Sequence, residues 1–307
     1  MNNLATQEYT EQRVSNPRLA WSIYPLSWFL VIVAASCASQ GVIGWNEAWV
    51  GTNALLIISY IGLELKSPLR RQWGGTWSSV MTDLKYLITN GAILGMVKLG
   101  LGLFAINMSG QSVGPASDWP LPIQVIMALV VFEALQYSIH RYMHQGEGRI
   151  GRFFWKIHSA HHLPKKLYVT MHVVGHPLNG FFIQTLVIVV PVWLMGYSEA
   201  ACTLFLMTNS IHGLMSHFNV DARMGWMNYL FVGNELHRFH HSSALREAKN
   251  FGAVLSIFDQ LFGTFVHRPG EMPTDLGTVS SNEYPDYQDL IATLKYPFLD
   301  YSSKNAH

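Results

Sequence analysis

Long apolar runs separated by short polar segments set the layout of the chain. No Asp, Glu, Lys or Arg occurs in residues 19–46, and about 20 such residues cross a bilayer as a helix. Residues 48–63 give a second, shorter run. Residues 86–107 give a third, broken only by Lys98, and residues 121–139 a fourth, broken by Glu133. Residues 167–198 and 200–220 are again free of charge, histidine aside, with Gly196-Tyr197-Ser198-Glu199 suited to turn between them. That last pair can cross as a hairpin or enter without crossing. The pattern predicts an all-α, multi-pass integral membrane helical bundle. Its parts are a polar N-terminal tail (1–18), one membrane-embedded domain (19–268, with spans over about 19–120 and a histidine-rich part over about 121–268), and a polar C-terminal tail (269–307). The tail carries one short amphipathic stretch at 286–298.

Composition supports lipid as the solvent. Half of the 307 residues are hydrophobic and only 13% are charged, against about a quarter in an ordinary soluble domain. The net charge of +1 gives no pull toward nucleic acid. Residues 1–18 lack a basic start followed by a short apolar core, so no cleavable signal peptide is expected. Cys37 and Cys202 lie in apolar runs and read as small core residues. Basic segments orient the bundle. Lys66, Arg70, Arg71 and Lys85 lie between the second and third runs, and Arg141, Arg149, Arg152, Lys156, Lys165 and Lys166 follow the fourth. Residues 108–120 carry no Lys or Arg. Both termini and the histidine-rich cap are therefore expected on the cytoplasmic side.

The chemistry lies in the histidines. Of 14, most fall between His140 and His241. His140 and His144 are one helical turn apart. His158, His161 and His162 are followed by His212 and His217, and then by His237, His240 and His241 at the spacing of the second cluster. One H-x-x-H-H triplet arises by chance now and then; two in one chain rarely do. Ten imidazoles inside a bundle are costly without a partner. They exceed the capacity of one ion, so two ions are expected. Imidazole suits zinc, copper, iron and nickel, so the ligands alone do not select the metal.

His140-Arg-x-x-His144, His158-x-x-His161-His162, His212-x4-His217 and His237-x-x-His240-His241 resemble the histidine boxes of the fatty acid hydroxylase superfamily, which includes sterol desaturases and carotenoid hydroxylases. The likeness continues in Tyr137-x-x-His140-Arg141, His176-Pro177, Asn250-Phe251-Gly252, Ile257-Phe258-Asp259-Gln260-Leu261-Phe262-Gly263-Thr264 and Tyr296-Pro297-Phe298. It runs from about Phe132 to Phe298, and departs where many members have Glu and this chain has Asn179. The resemblance implies a non-haem centre of two iron ions, held by the ten histidines, that uses O2 as co-substrate. It implies hydroxylation of a lipid C–H bond, or desaturation as the alternative. Zinc can stand in for iron at imidazole sites. No nucleotide, flavin or haem motif occurs, so the electrons are expected from a separate protein: a reductase, ferredoxin or haem protein. A metal transporter or sensor is the reading from another class. It requires liganding groups across several spans at mid-membrane, whereas these histidines gather at one surface.

Beyond the ligands, Glu133 shares a helical stripe with Tyr137, His140 and His144 and is expected to hydrogen-bond a ligand imidazole; Asp259 is a candidate for the same task. His172 and His176 are expected to contact a ligand or line the substrate space, and His267 and His307 to be solvated.

Overall fold

The structure is a computed structural model describing residues 16–108, 114–189, 194–279 and 283–299, with the side chains of 97–108, 188 and 189 outside that description. Lys98's side chain, His307 and most of the two expected tails' outer ends thus lie outside the described residues. The regular secondary structure of the described residues is helical, apart from two isolated β-bridges. Helix α1 (Pro17–Ser39) starts at Asn16, whose side chain accepts from the amides of Arg18 and Leu19 at 3.1 and 3.4 Å. Then come α2 (Trp45–Lys66), α3 (Trp77–Met108) and α4 (Leu121–Gln145). By length and composition α1, α2 and α4 can each cross a membrane. The third apolar run forms the C-terminal part of α3, which is 32 residues long.

The helices pack through one stripe each and leave the rest apolar and outward. Tyr24, Val31, Leu56, Tyr60, Met207, Ile211 and Phe218 join α1 and α2 to α7 (Glu199–Ser216) in one core. Phe29 and Ile58 on the outer faces are 63% and 67% exposed. A helix that is apolar on every side fits only where its outer face meets lipid.

The apolar hairpin consists of α6 (Pro177–Phe181), continued by a π-helical stretch (Phe182–Val189), and α7. Gly196 turns it with φ +69°, the left-handed region open to glycine. The tip docks on the α3–α4 connection and the start of α4: Ala116 N donates to Met195 O at 2.9 Å, and Ser198 N to Gln124 Oε1 at 2.8 Å. The hairpin therefore reaches the level at which α4 begins.

Opposite that tip lie α5 (Gly148–His162), α8 (Asn234–His240), α9 (Ile257–Leu261) and α10 (Leu290–Lys295), the histidine-rich cap. The segment expected as a C-terminal tail folds back on α5. Lys156 Nζ donates to Leu299 O at 2.6 Å and lies over the Tyr296 ring, and Trp155 Nε1 donates to the Tyr284 hydroxyl at 3.0 Å.

Candidate metal centre

Two groups of imidazoles converge inside the cap. His140 and His144 from α4, His158 and His162 from α5, and His240 from α8 form the first. His161 from α5, His217 at the end of α7, and His237 and His241 from α8 and its C-cap form the second. In each group, ligand nitrogens lie within 4.8 Å of one another. The first closes through Nε2–Nε2 distances of 3.0 Å (His140–His158) and 3.1 Å (His158–His162). The second does so at 3.0 Å for His161–His217, His217–His237 and His237–His241.

Outer contacts aim these rings. His140, His161 and His240 donate from Nδ1 to the carbonyls of Phe251, Val174 and Lys249 at 2.7, 2.8 and 2.9 Å. A carbonyl can only accept, so the proton sits on Nδ1 and the Nε2 lone pair points inward. His158 Nδ1 lies 3.2 Å from Asn179 Oδ1, so the Asn at the departure from the family pattern orients a histidine of the first group. Burial pushes His158, His162, His217, His237, His240 and His241 well below the ordinary histidine pKa, keeping them neutral. Nε2 of His144 and of His240 has no hydrogen-bond partner. Buried, neutral, mutually facing imidazole nitrogens form an acceptor set short of cations, and one metal ion in each group fits it.

His212 departs from expectation. It is fully buried, yet belongs to neither group. Its Nδ1 donates to Val232 O at 2.7 Å, and its Nε2 faces the Tyr24 hydroxyl at 3.4 Å. Positions five apart on an α-helix point about 140° apart, so when His217 faces α5, His212 faces α1.

Glu133 and Asp259 also differ from expectation, because neither touches an imidazole. Glu133 accepts from the amides of Ala253, Val254 and Leu255 at 2.7, 2.8 and 2.7 Å. Asp259 accepts from the amides of Phe251 and Gly252, both at 2.8 Å, and from Thr264 Oγ1 at 2.7 Å. Burial pushes the Asp259 carboxyl up to about 6, against the pull of these three donors. Together the two carboxylates pin the loop whose Phe251 carbonyl holds His140. The Asn-Phe-Gly and Asp-x4-Thr elements of the sequence thus become one device. Gly252 is needed there because a Cβ would run into the Leu255 carbonyl and the Asp259 carboxylate.

A cavity of about 400 Å3 opens onto both groups, touching His140 and His158 of the first and His161, His217 and His237 of the second. His172 and His176 line it. His176 caps α6, accepting from Leu178 N at 3.1 Å and donating to Leu294 O at 3.2 Å. The His172 ring lies 5.4 Å from that of His217 and fits because position 213 is glycine. Sequence reasoning missed Trp155, which packs 5.1 Å from the His144 ring and 5.8 Å from the His162 ring. It also missed Gln136 in the cavity wall, although Gln136 stands one turn ahead of His140 and that spacing could have found it.

Comparison with known proteins agrees with this geometry. Residues 125–264 match the fatty acid hydroxylase family. The chain is 28% identical to an ornithine lipid hydroxylase, OlsE, of Rhizobium tropici, over 92% of this chain and 86% of that protein. It is 25% identical to sphinganine C4-monooxygenase 2 of Arabidopsis thaliana, over 62% and 76% of the two chains. No solved structure matches. The matched span runs from α4 to Thr264 and contains all nine grouped histidines, so the part of the chain that builds the site is similar to the fatty acid hydroxylase family.

Proposed function

We propose that the protein is a membrane-bound, O2-dependent lipid hydroxylase in which each histidine group holds one iron ion. The observation that carries this reading is the single cavity that opens onto both groups. His140, His144, His158, His162 and His240 would hold one ion, and His161, His217, His237 and His241 the other. Bound there, the ions would supply the activation of O2; in the overall reaction one oxygen atom would enter the lipid C–H bond as an alcohol and the other leave as water, with two electrons and two protons consumed. The chain's residues do the rest. The carbonyls of Phe251, Val174 and Lys249 fix tautomers, Glu133 and Asp259 hold the loop, and the hydrophobic walls, with Leu87, Leu94, Phe132 and Ile183, keep water away from the substrate. A lipid can approach between helices because the cavity wall includes α3, α4 and the hairpin. The electrons come from a separate protein donor. The alternating basic segments favour a cytoplasmic cap, with residues 108–120 on the opposite side; residues 109–113 of that loop lie outside the described residues.

The test is to supply 18O2, a reductant and lipid extract to membranes containing the protein. One labelled oxygen per product molecule is expected. A product that has lost two hydrogens and carries no label makes the protein a desaturase.

A further inference from the structure

Two segments of the cap are built inside-out. The 3-10 turn at Gly225–Tyr229 and helix α9 lie side by side: Ser256 N donates to Leu230 O at 3.1 Å, and Gln260 Nε2 to Tyr229 O at 2.7 Å. Residues 225–231 and 255–262 hold one charged side chain, Asp259. It is fully buried, as are Asn228 and Ser256. Trp226, Tyr229, Leu230, Ile257, Leu261 and Phe262 are exposed instead, Trp226 to 69% and Leu261 to 68%. The exposed carboxamide of Gln260 is engaged by the backbone of Tyr229 and Ser256. A surface in water carries the opposite pattern, and a contiguous apolar patch marks a face that meets something other than water.

Two neighbouring spans give the depth of this face. Arg223 N donates to Ala20 O at 2.9 Å, so the first segment joins α1 near its start. It then follows that helix until Phe231 packs on Trp28, ring centroids 5.9 Å apart. Trp28 lies about 16 Å along α1 from Pro17. On the other flank, Phe258 and Phe262 stack on Tyr137 of α4 at 6.0 and 5.5 Å. Tyr137 is about 24 Å along α4 from Leu121, and the apolar layer of a bilayer is about 30 Å thick. Both flanking residues thus fall within the layer that α1 and α4 can cross. Arg18 and Arg141 stand one turn closer to the cap than Trp21 and Tyr137, the level that suits lipid phosphates.

We propose that residues 225–231 and α9 form a wedge seated in the cap-side leaflet of the bilayer, with acyl chains packed on Leu230, Ile257 and Leu261 and the Trp226 ring at the level of the headgroups. The cap is then held at the membrane by its own surface as well as by the spans. The same short helix serves the site from its other side: Asp259 accepts from the amides of Phe251 and Gly252, and the Phe251 carbonyl aims His140. Lipid packed against α9 therefore steadies the loop that holds a histidine of the first group. This holds whatever reaction the site performs.

The test uses the full-length, zinc-loaded protein in phosphatidylcholine vesicles. With Cys37→Ser and Cys202→Ser in place, a nitroxide is attached through Trp226→Cys, Leu261→Cys, Ile58→Cys on the outer face of α2, or Glu271→Cys on an exposed cap loop. Power-saturation EPR reads collisions with O2, which enters lipid, and with a water-soluble nickel chelate. The label at 261 is expected to match that at 58 and to meet the chelate several-fold less often than the label at 271; the label at 226 should fall between them. Chelate contact at 261 equal to that at 271 overturns the proposal. So does dipolar broadening between labels at 261 that vanishes on dilution with unlabelled protein, which would make the face a contact between two copies. A second measurement uses Ile257→Asp together with Leu261→Asp, which puts short charges on the outer side of α9 only. Facing water, such a pair is nearly neutral; facing acyl chains, it should lower both the thermal midpoint and the zinc retained per chain. Midpoint and zinc content both unchanged would also overturn the wedge.

Discussion

At the scale of single residues, burial separates histidines that look alike in sequence. His212 and His217 are both buried, but only His217 points its Nε2 at other imidazoles. His217→Ala should therefore lower metal content per chain, whereas His212→Asn should retain the metal of the unaltered protein and lose only the local contacts with Tyr24, Phe231 and Val232. Elemental analysis of both purified variants checks this, and equal metal loss in the two would return His212 to the ligand set. Glu133 works at one remove. Glu133→Gln replaces a carboxylate oxygen by an NH2 group that faces a backbone N–H, which leaves at least one of three buried donors unpaired. The expected loss is about 1–3 kcal/mol of stability, with weaker metal retention because the Phe251 carbonyl moves with the loop. Thermal unfolding and metal content, measured together, test it; an unchanged midpoint would separate Glu133 from the loop's integrity. Both H-x-x-H-H triplets were legible because their ligating positions repeat within one helical turn. The roles of Glu133 and Asp259 were not, because their partners lie 120 and more positions away for Glu133 and on irregular backbone for both.

At the scale of elements, each helix acts as a rigid carrier and the joints decide whether its cargo arrives. The apolar runs foretold α1, α2 and α4 closely. They left the hairpin undecided, since its reach depends on a contact between two glycine-bearing turns distant in sequence. Gly114 packs so closely on Met195 and Gly196 that a Cβ there would fall inside their backbone. Gly114→Val should push the tip off the α3–α4 connection and disturb α7, which carries His217. A fall in thermal midpoint together with reduced metal content is expected, while Gly51→Val on α2, where a Cβ meets open space, should change neither. Comparable damage from both substitutions would show that side-chain size alone, not the joint, matters. The C-terminal segment was read as a tail because its polarity resembles a solvated end. Its Tyr284 and Tyr296 nonetheless seat on Trp155 and Lys156 of α5, a tertiary choice that local pattern does not encode.

At the scale of the whole molecule, the cap concentrates neutral imidazoles, and this ties folding to pH. Burial holds His158, His162, His217, His237, His240 and His241 well below their ordinary value. In the unfolded chain these groups take up protons below about pH 6.5, and in the folded chain they do not. The metal-free protein is thus fully stable above that pH and weakens as pH falls, each histidine contributing up to about 1.4 kcal/mol per pH unit. Unfolding of metal-free protein between pH 7.5 and 5.5 should show a steadily falling midpoint, and a flat profile would contradict the burial of these groups. One further property follows from how the groups are shared. α5 sends His158 and His162 to one and His161 to the other; α8 sends His240 to one and His237 to the other. Adjacent rungs of the same helix therefore address different histidine groups, and the pitch of the helix serves as the ruler between them. Loops can lengthen or shorten over evolutionary time without altering that gauge, whereas one inserted residue inside either triplet would send its histidines to the wrong address.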